Sequence, residues 1–376
     1  MNIVAVREHP VTISRFSDPM LPGGGLTTSL VALTTDVRRN GRPIVGYGFS
    51  SFGRYAQSGL IGERFAPRLL AASDNLDPIR AWDAMMTGEK PGGHGERCVA
   101  VGTLDMAIWD AAAKIEDVPL CVYLARRFER EPSERIRVYA GGGYRYPHND
   151  LSRLRAELQG FTAAGYTHAK IKIGGVYIAE DLHRIEAAID ILGAGERLSV
   201  DAMNGYGPTE ALEAAEVLKR FNLWWFEDIC DPLDFATHAC VAEQYPAAIA
   251  AGEALFSLAE AKLLHQYAGL RPTVDRLVFD PVHCYGIPGY AQIVSYMEDA
   301  GWPRSAFWPH GGHLFTQHVA AAFGLGGAEV NPTAFPPFGG LADTQSVEAG
   351  QVRLPDAPGI GFELRNQLFQ QFNALG

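Results

Sequence analysis

The chain has 376 residues, 47% hydrophobic and 20% charged, with a net charge of −11 at pH 7. That length exceeds one small core and fits a barrel plus a second domain, while the acidity and the lack of a Lys/Arg run exclude a nucleic-acid partner. No stretch approaches the roughly 18 apolar residues of a membrane span, and MNIVAVREHPV lacks a basic region followed by an apolar signal core. A soluble, unexported protein is expected. Five cysteines, Cys98, Cys121, Cys230, Cys240 and Cys284, show no paired metal-site spacing. Their odd number argues against a disulfide framework and for reduced thiols in the cytoplasm. The global acidity does not exclude an anionic substrate, because local positive charge can outweigh a diffuse field.

The region 1–130 reads as α+β. Leu30–Val37 and Arg42–Gly48 form a strand pair around a polar turn at Arg39-Asn40-Gly41. Helical patterns follow near Ile61–Leu70 and Cys98–Ile115. The second carries Val101, Leu104, Met106, Ile108 and Trp109 at mixed spacing, which predicts burial on most sides. The charged segment Glu129–Arg135 suits a connection. From there, short apolar runs alternate with amphipathic helices. The predicted strands are Arg137–Ala140, Ala169–Ile173, Leu198–Asp201, Leu223–Phe226, Ala248–Ala251, Leu277–Phe279, Ala306–Trp308 and a weaker one at Ala328–Val330. Leu151/Leu154/Leu158/Phe161 and Leu182/Ile185/Ile189/Leu192 keep the rhythm of one-faced helices between them. This alternation predicts a TIM-like (β/α)7β barrel over residues 131–345. The tail, 346–376, holds a strand-like piece and a final helix that should return to the first domain. Gly46-Tyr47-Gly48 misses the dinucleotide fingerprint, and no P-loop is present. Gly23–Gly25 and Gly92–Gly95 read as mobile loops suited to folding over a barrel mouth.

Three acidic residues each close a short apolar run: Asp201 in LSVDAM, Glu227 in LWWFED and Glu253 in AIAAGE, 26 residues apart each time. A βα unit fills about 25 to 35 residues, so three successive parallel strands would aim one carboxylate each into a shared pocket. Converging carboxylates repel unless a cation neutralises them, and an all-oxygen set suits Mg²⁺. Alternation puts Lys170 and Lys172 on one face of the preceding strand. Two adjacent ammonium groups near a divalent ion should lower one lysine's pKa, making Lys172 a base for an α-proton. Lys170 would stay charged and hold a substrate carboxylate oxygen. His310, reaching in from the other side, could protonate a departing β-hydroxyl as imidazolium, so that an enediolate collapses to a 2-keto acid.

Bland alternatives exist for each residue alone. A K-x-K pair can be a solvent stripe, a strand-end carboxylate a helix cap, and His310 with His313 a turn or zinc ligands, although no cysteine or HExxH context supports zinc. What favours chemistry is order: K-x-K, Asp, Glu, Glu and His on predicted strands two, three, four, five and seven. Asp228 and Asp231 are expected to be loop and cap residues.

That ordered set resembles the enolase superfamily, and within it the mandelate racemase-like group, across essentially the whole chain. The segments GRYAQSGLIGERFAPRLL, MTGEKPGGHGERCVAVGTLDMAIWD, KIKIGG, DPLDF, FDP, PHGGH and PGIGFE look most like the D-tartrate dehydratase branch. The resemblance implies an α+β capping domain, built from the N-terminal region and the C-terminal tail, over a barrel. It implies Mg²⁺ on Asp201, Glu227 and Glu253, acid/base catalysis by Lys172 and His310, and a homo-oligomer. It implies too that Lys90 of EKPGGHG helps hold a second substrate carboxylate. Arg54, Phe52, Met203, Asn204, Asp280, Glu329 and Lys170 complete the expected substrate-binding set. This sequence departs from the pattern at Met203, within Asp201-Ala202-Met203-Asn204 where D-A-N is common. It departs also at Phe52, in place of a polar asparagine, at Asp228, in place of a second Glu, and at Pro281-Val282-His283 after Asp280. Met203 and Phe52 disfavour a small, fully polar substrate. Dehydration of a small hydroxy-acid, D-tartrate or a related acid sugar, is the first expectation. Racemisation or epimerisation, with Asp280 pairing His310, is the second, and a catalytically silent acid-binding protein the third.

Overall fold

The computed structural model describes residues 1–13, 25–72 and 75–375. The predicted loop residues Gly23 and Gly24 lie outside them. Strands β1 (Ile3–Thr12), β2 (Thr27–Arg39) and β3 (Arg42–Phe49) form an antiparallel sheet in that order. β2 and β3 are the expected pair, with Arg39 opposite Arg42 at the turn. β1 was not predicted. It is an edge strand with only Ile3 fully buried, so its apolar signal is weak, and the edge position tolerates Pro10. The helix Glu96–Ile115 lies against this sheet and buries every residue from Cys98 to Lys114, as its all-round apolar pattern requires. Gly46 and Gly48 permit the approach. A Cβ on Gly46 would lie 1.9 Å from the Ala107 carbonyl oxygen, and one on Gly48 2.4 Å from that of Thr103.

The second sheet starts at β4 (Arg135–Gly141) and continues through β5 (Ala169–Lys172), β6 (Leu198–Asp201), β7 (Trp225–Glu227), β8 (Ile249–Ala251) and β9 (Arg276–Leu277), all parallel. β10 (Ala328–Val330) pairs in parallel with the other edge of β4. Amphipathic helices such as Ile178–Leu192 cross between strands, burying Ile185, Ala188 and Leu192. The predicted seventh strand is only a bridge, Leu277 to Phe307, with Trp308 N donating to Leu277 O at 2.8 Å. Gly326 N donates to Phe307 O at 3.0 Å, and the Trp308 ring lies so close to Gly327 that a Cβ there would meet it at 2.3 Å. Among the described residues no ladder joins 306–308 to β10, so the expected barrel lacks a complete closing pair there. Inside it, Tyr139, Trp225, Ala250, Val278 and Trp308 form a separate apolar cluster.

The tail divides. β11 (Val347–Glu348) and β12 (Gln351–Arg353) make a hairpin whose second strand runs antiparallel to β4. The helix Asn366–Asn373 instead packs Phe369 and Phe372 on Tyr47 of β3, with ring centroids at 5.8 and 4.8 Å. All five cysteines are free. No described helix is long and apolar enough to cross a membrane.

Candidate active site

Register brings the acidic run together. Lys172 of β5 pairs with Asp201 of β6, and Asp201 with Glu227 of β7, so one residue per strand stands at the same height. Glu253 follows two residues after β8. One oxygen from each of Asp201, Glu227 and Glu253 lies within 4.8 Å of the others. The Lys172 ammonium contacts Asp201 Oδ2 directly. Lys170 is wholly buried, with Nζ 2.5 Å from Glu227 Oε1, 3.4 Å from Glu329 Oε1 and 3.7 Å from Asp201 Oδ2. The Trp225 indole donates to Glu227 Oε2 at 2.6 Å, and Met203 N to Asp201 Oδ1 at 2.8 Å. Glu253 Oε2 is buried without a hydrogen-bond partner among the described residues.

This crowding sets the proton affinities. Burial raises Glu227 to about 7, against the pull of Lys170. Burial, with Glu253 and Asp201 beside it, pushes Asp228 well above the carboxylate range. The expected fall of one lysine's pKa is not what the carboxylates produce. Burial works to discharge Lys172, but Asp201 and Tyr144 hold it above the ordinary lysine range, and Glu227 and Glu329 do the same for Lys170. The expectation placed a divalent ion beside the two ammonium groups; here the carboxylates contact the ammonium groups directly and keep both charged.

His310 forms the other side of the constellation. Its Nδ1 lies 2.9 Å from Asp280 Oδ2, and its Nε2 3.6 Å from Glu253 Oε1. Burial opposes its charge, yet Glu253 and Asp280 lift it to about 9. Asp280 Oδ2 also accepts from Ser51 Oγ at 2.6 Å, and Ser51 Oγ lies 3.0 Å from His313 Nε2. Asp280 stays ionised, because burial is outweighed by His283, His310 and His313. Asp280, His283 and His310 are close enough to chelate, but the Asp280 carboxylate is already taken up by hydrogen bonds, so this group reads as a hydrogen-bonded hub. Pairing of Asp280 with His310 is thus the geometry observed.

A cavity of about 240 Å³ joins these groups and is lined by Lys172, Asp201, Glu253, His310 and Glu329. Of the expected substrate-binding residues, Phe52, Arg54, Met203 and Asn204 also line it. Phe52 stacks on Phe335 at 4.4 Å, and the Arg54 guanidinium lies 4.5 Å from the centre of the Phe256 ring. Lys170, beneath Glu227, and Asp280, behind His310, do not line it. Lys90 stands apart. Its side chain is exposed, and its carbonyl accepts from Arg97 Nη1 at 2.9 Å. Asp231 holds Leu233 N in a turn, as expected, but Asp228 is buried and faces the cavity. Tyr144, His283, Asn331, Phe335 and Ser51 had not been singled out as site residues. Each sits in a loop past a strand end, where periodicity says nothing about direction.

The three-carboxylate donor set and the orphaned Glu253 oxygen fit a hard divalent cation. A family model, enolase C-terminal domain-like, matches residues 153–368, more than half of the chain. An arabinonate dehydratase of Saccharolobus solfataricus is 27% identical over 87% of this chain and 87% of its own length. An L-talarate/galactarate dehydratase of Salmonella typhimurium is 27% identical over 90% of this chain and 82% of its own. The crystal structure of an L-talarate dehydratase from Polaromonas sp. JS666, complexed with Mg and L-glucarate, superposes with a TM-score of 0.75. It is 25% identical and covers 96% of this chain and 94% of that one. With its parallel α/β sheet and the carboxylates on successive strand ends, the chain belongs to the enolase superfamily.

Proposed function

We propose that the protein is a Mg²⁺-dependent dehydratase of a hydroxy-acid, a lyase releasing water from an acid sugar to give a 2-keto acid. The observation that carries this reading is the in-register row Lys172, Asp201 and Glu227, of which Lys172 and Asp201 share a cavity with Glu253 and His310. Asp201, Glu227 and Glu253 would hold the ion. When bound, it would supply positive charge for the developing carboxylate anion and compete with Lys172 for Asp201. Lys172, able to lose its proton once Asp201 no longer holds its charge, would take the α-proton as a neutral amine, and the C–H electrons would pass into the substrate's carboxylate. His310, kept protonated at neutral pH by Glu253 and Asp280, gives its proton to the β-hydroxyl, which leaves as water. The enol so formed tautomerises to the 2-keto acid. Lys170 holds the carboxylate set in place from below. Arg54, rather than the exposed Lys90, lines the cavity and would receive a distal carboxylate or hydroxyl.

D-tartrate is one candidate substrate, on the sequence motifs. The names of the relatives add acids of the arabinonate and talarate/galactarate kind. The apolar wall of Phe52, Phe335 and Met203 favours a longer acid over tartrate. Residues 1–130 with the final helix would act as the cap, and a cytoplasmic homo-oligomer is the expected setting. The Asp280–His310 pair also suits a second reading, racemisation or epimerisation, in which neutral His310 is a base. A catalytically silent acid-binding protein is the third.

The test is a panel of acid sugars with MgCl₂, assayed for 2-keto acid. Keto acid from any member supports dehydration and names the substrate. Deuterium uptake into recovered acid without keto acid supports the racemase reading instead. Neither signal from any member would reject both.

A further inference from the structure

A second cavity, about 540 Å³, opens at the other end of the parallel sheet, among the residues that begin the strands. Arg137 of β4, His168 before β5, Trp224 before β7 and Arg276 of β9 line it, together with Trp308 and the Gly350–Gln351 turn of the tail hairpin. Its floor is the Tyr139–Trp225–Trp308 cluster, which separates it from the carboxylates. In a chain of net charge −11, no aspartate or glutamate among the described residues lines this cavity.

Its two arginines are unusual. Arg145 is matched by Asp181, Arg184 by Asp150 and Arg271 by Asp275. The Arg137 guanidinium has no hydrogen-bonding or ion-pair partner among the described residues, and that of Arg276 donates there only through Nη1, to the carbonyls of Val274 at 2.6 Å and Asp275 at 3.0 Å. The Asp275 carboxylate is held by Arg271 at 2.7 Å and makes no hydrogen bond to the Arg276 guanidinium among the described residues. The positive field registers on His168, which burial first, and then Arg197 and Arg137, lower to about 4. A half-buried guanidinium with free donors beside apolar ring edges is suited to carboxylate or phosphate oxygens.

We propose that this cavity binds a small organic oxyanion, a carboxylate or phosphate whose apolar part lies against Trp224 and Trp308 and whose oxygens meet Arg137 and Arg276. The site is separate from the metal-binding carboxylates, and the proposal does not depend on the dehydratase reading. Most catalytic groups of parallel α/β barrels gather at the opposite mouth, so an occupant here would be an effector rather than a substrate. The Trp224 ring lies 3.9 Å from that of Trp225, and the Trp225 indole donates to Glu227. A contiguous contact path therefore runs from this cavity to the carboxylates.

The experiment is a titration of the full chain with inorganic phosphate and, separately, with benzoate, followed by tryptophan fluorescence. A saturable change that weakens with added NaCl is expected, with Kd raised about tenfold or more in Arg276→Gln. Arg137→Gln is the second variant. Its side chain is exposed, so the substitution leaves the core intact should Arg276→Gln fail to fold. Tighter phosphate would identify a phosphate source, and tighter benzoate a carboxylate source; either supports the site. No saturable change with either probe overturns the proposal, as does a Kd unchanged in Arg137→Gln and in folded Arg276→Gln. A Kd raised instead by Arg54→Gln would put the anion in the upper cavity and also overturn it.

Discussion

Replacing Lys170 with methionine would keep an unbranched side chain and delete the one charge beneath three carboxylates. Lys170 is 0% exposed and reaches Glu227 at 2.5 Å, Glu329 at 3.4 Å and Asp201 at 3.7 Å. Removing one partner of a buried ion pair costs about 3–5 kcal/mol, because the other charge is left uncompensated. A pair about 4 Å apart at an effective dielectric near 20 gives about 4 kcal/mol, the same range. Proton uptake offsets part of the loss. Glu227 already titrates near 7, above its ordinary 4.5. A carboxyl whose folded pKa is raised loses stability as pH climbs from the unfolded value to the folded one, then levels off. In the wild type that decline ends near 7; without Lys170 it should continue higher. Urea denaturation in EDTA should therefore show Lys170→Met destabilised by ~3 kcal/mol or more at about pH 8, and by less at about pH 6. Saturating Mg²⁺ should narrow the gap, because carboxylates no longer neutralised by Lys170 bind the cation more tightly in the variant. A loss below about 1 kcal/mol at both pH values, or a larger loss at the lower one, would refute the reasoning.

Lys172→Ala should abolish α-proton exchange into D₂O for any substrate found, and exchange at the wild-type rate would reject Lys172 as the base. His310→Asn should stop hydroxyl loss while leaving exchange at the α-carbon; unchanged keto-acid formation would make His310 structural. In metal-free protein His310 titrates near 9, so its stabilising contribution is complete below its ordinary 6.5 and is lost as pH rises through about 9. Asp280→Asn should lower that midpoint as seen by NMR, and an unmoved midpoint would show that Glu253 alone holds the charge. Gly102→Ala places a Cβ 1.8 Å from the Val282 carbonyl oxygen, at the loop that carries Asp280. Overpacking against backbone should cost about 1–3 kcal/mol or more, lowering Tm by about 2 °C or more. An unchanged Tm would show that the long helix shifts freely.

The carboxylate row was legible because each acid ends an apolar run and the runs repeat at one spacing; parallel pairing then gives the register of Lys172, Asp201 and Glu227. The long buried helix was legible for a related reason, since apolar residues all round leave no face for water. Ser51 was not, since its link to Asp280 joins positions 229 apart and nothing local marks a buried hydroxyl. Asp228 shows another limit. It sits at φ 47° and turns inward beside Glu253, while sequence distinguishes it from the turn-forming Asp231 only by one step from the strand end. The seventh strand is cut short because a tight helical turn at Arg304–Ala306 runs up to Phe307, which leaves the single bridge to Leu277 in place of a ladder.

Strand β4 has consequences for how the chain is made. It pairs with β5 soon after it in sequence, but its other partners, β10 and β12, come much later, and Arg135 meets Glu348 at a separation of 213 residues. A chain emerging from the ribosome can assemble β4 through β9 while one side of β4 is still unpaired. Exposed edges of this kind are where nascent chains associate wrongly, and such distant closure is slow. Residues made long after β4 thus protect the first strand of the parallel sheet, and a chain stopped before about residue 328 would leave that edge open to aggregation.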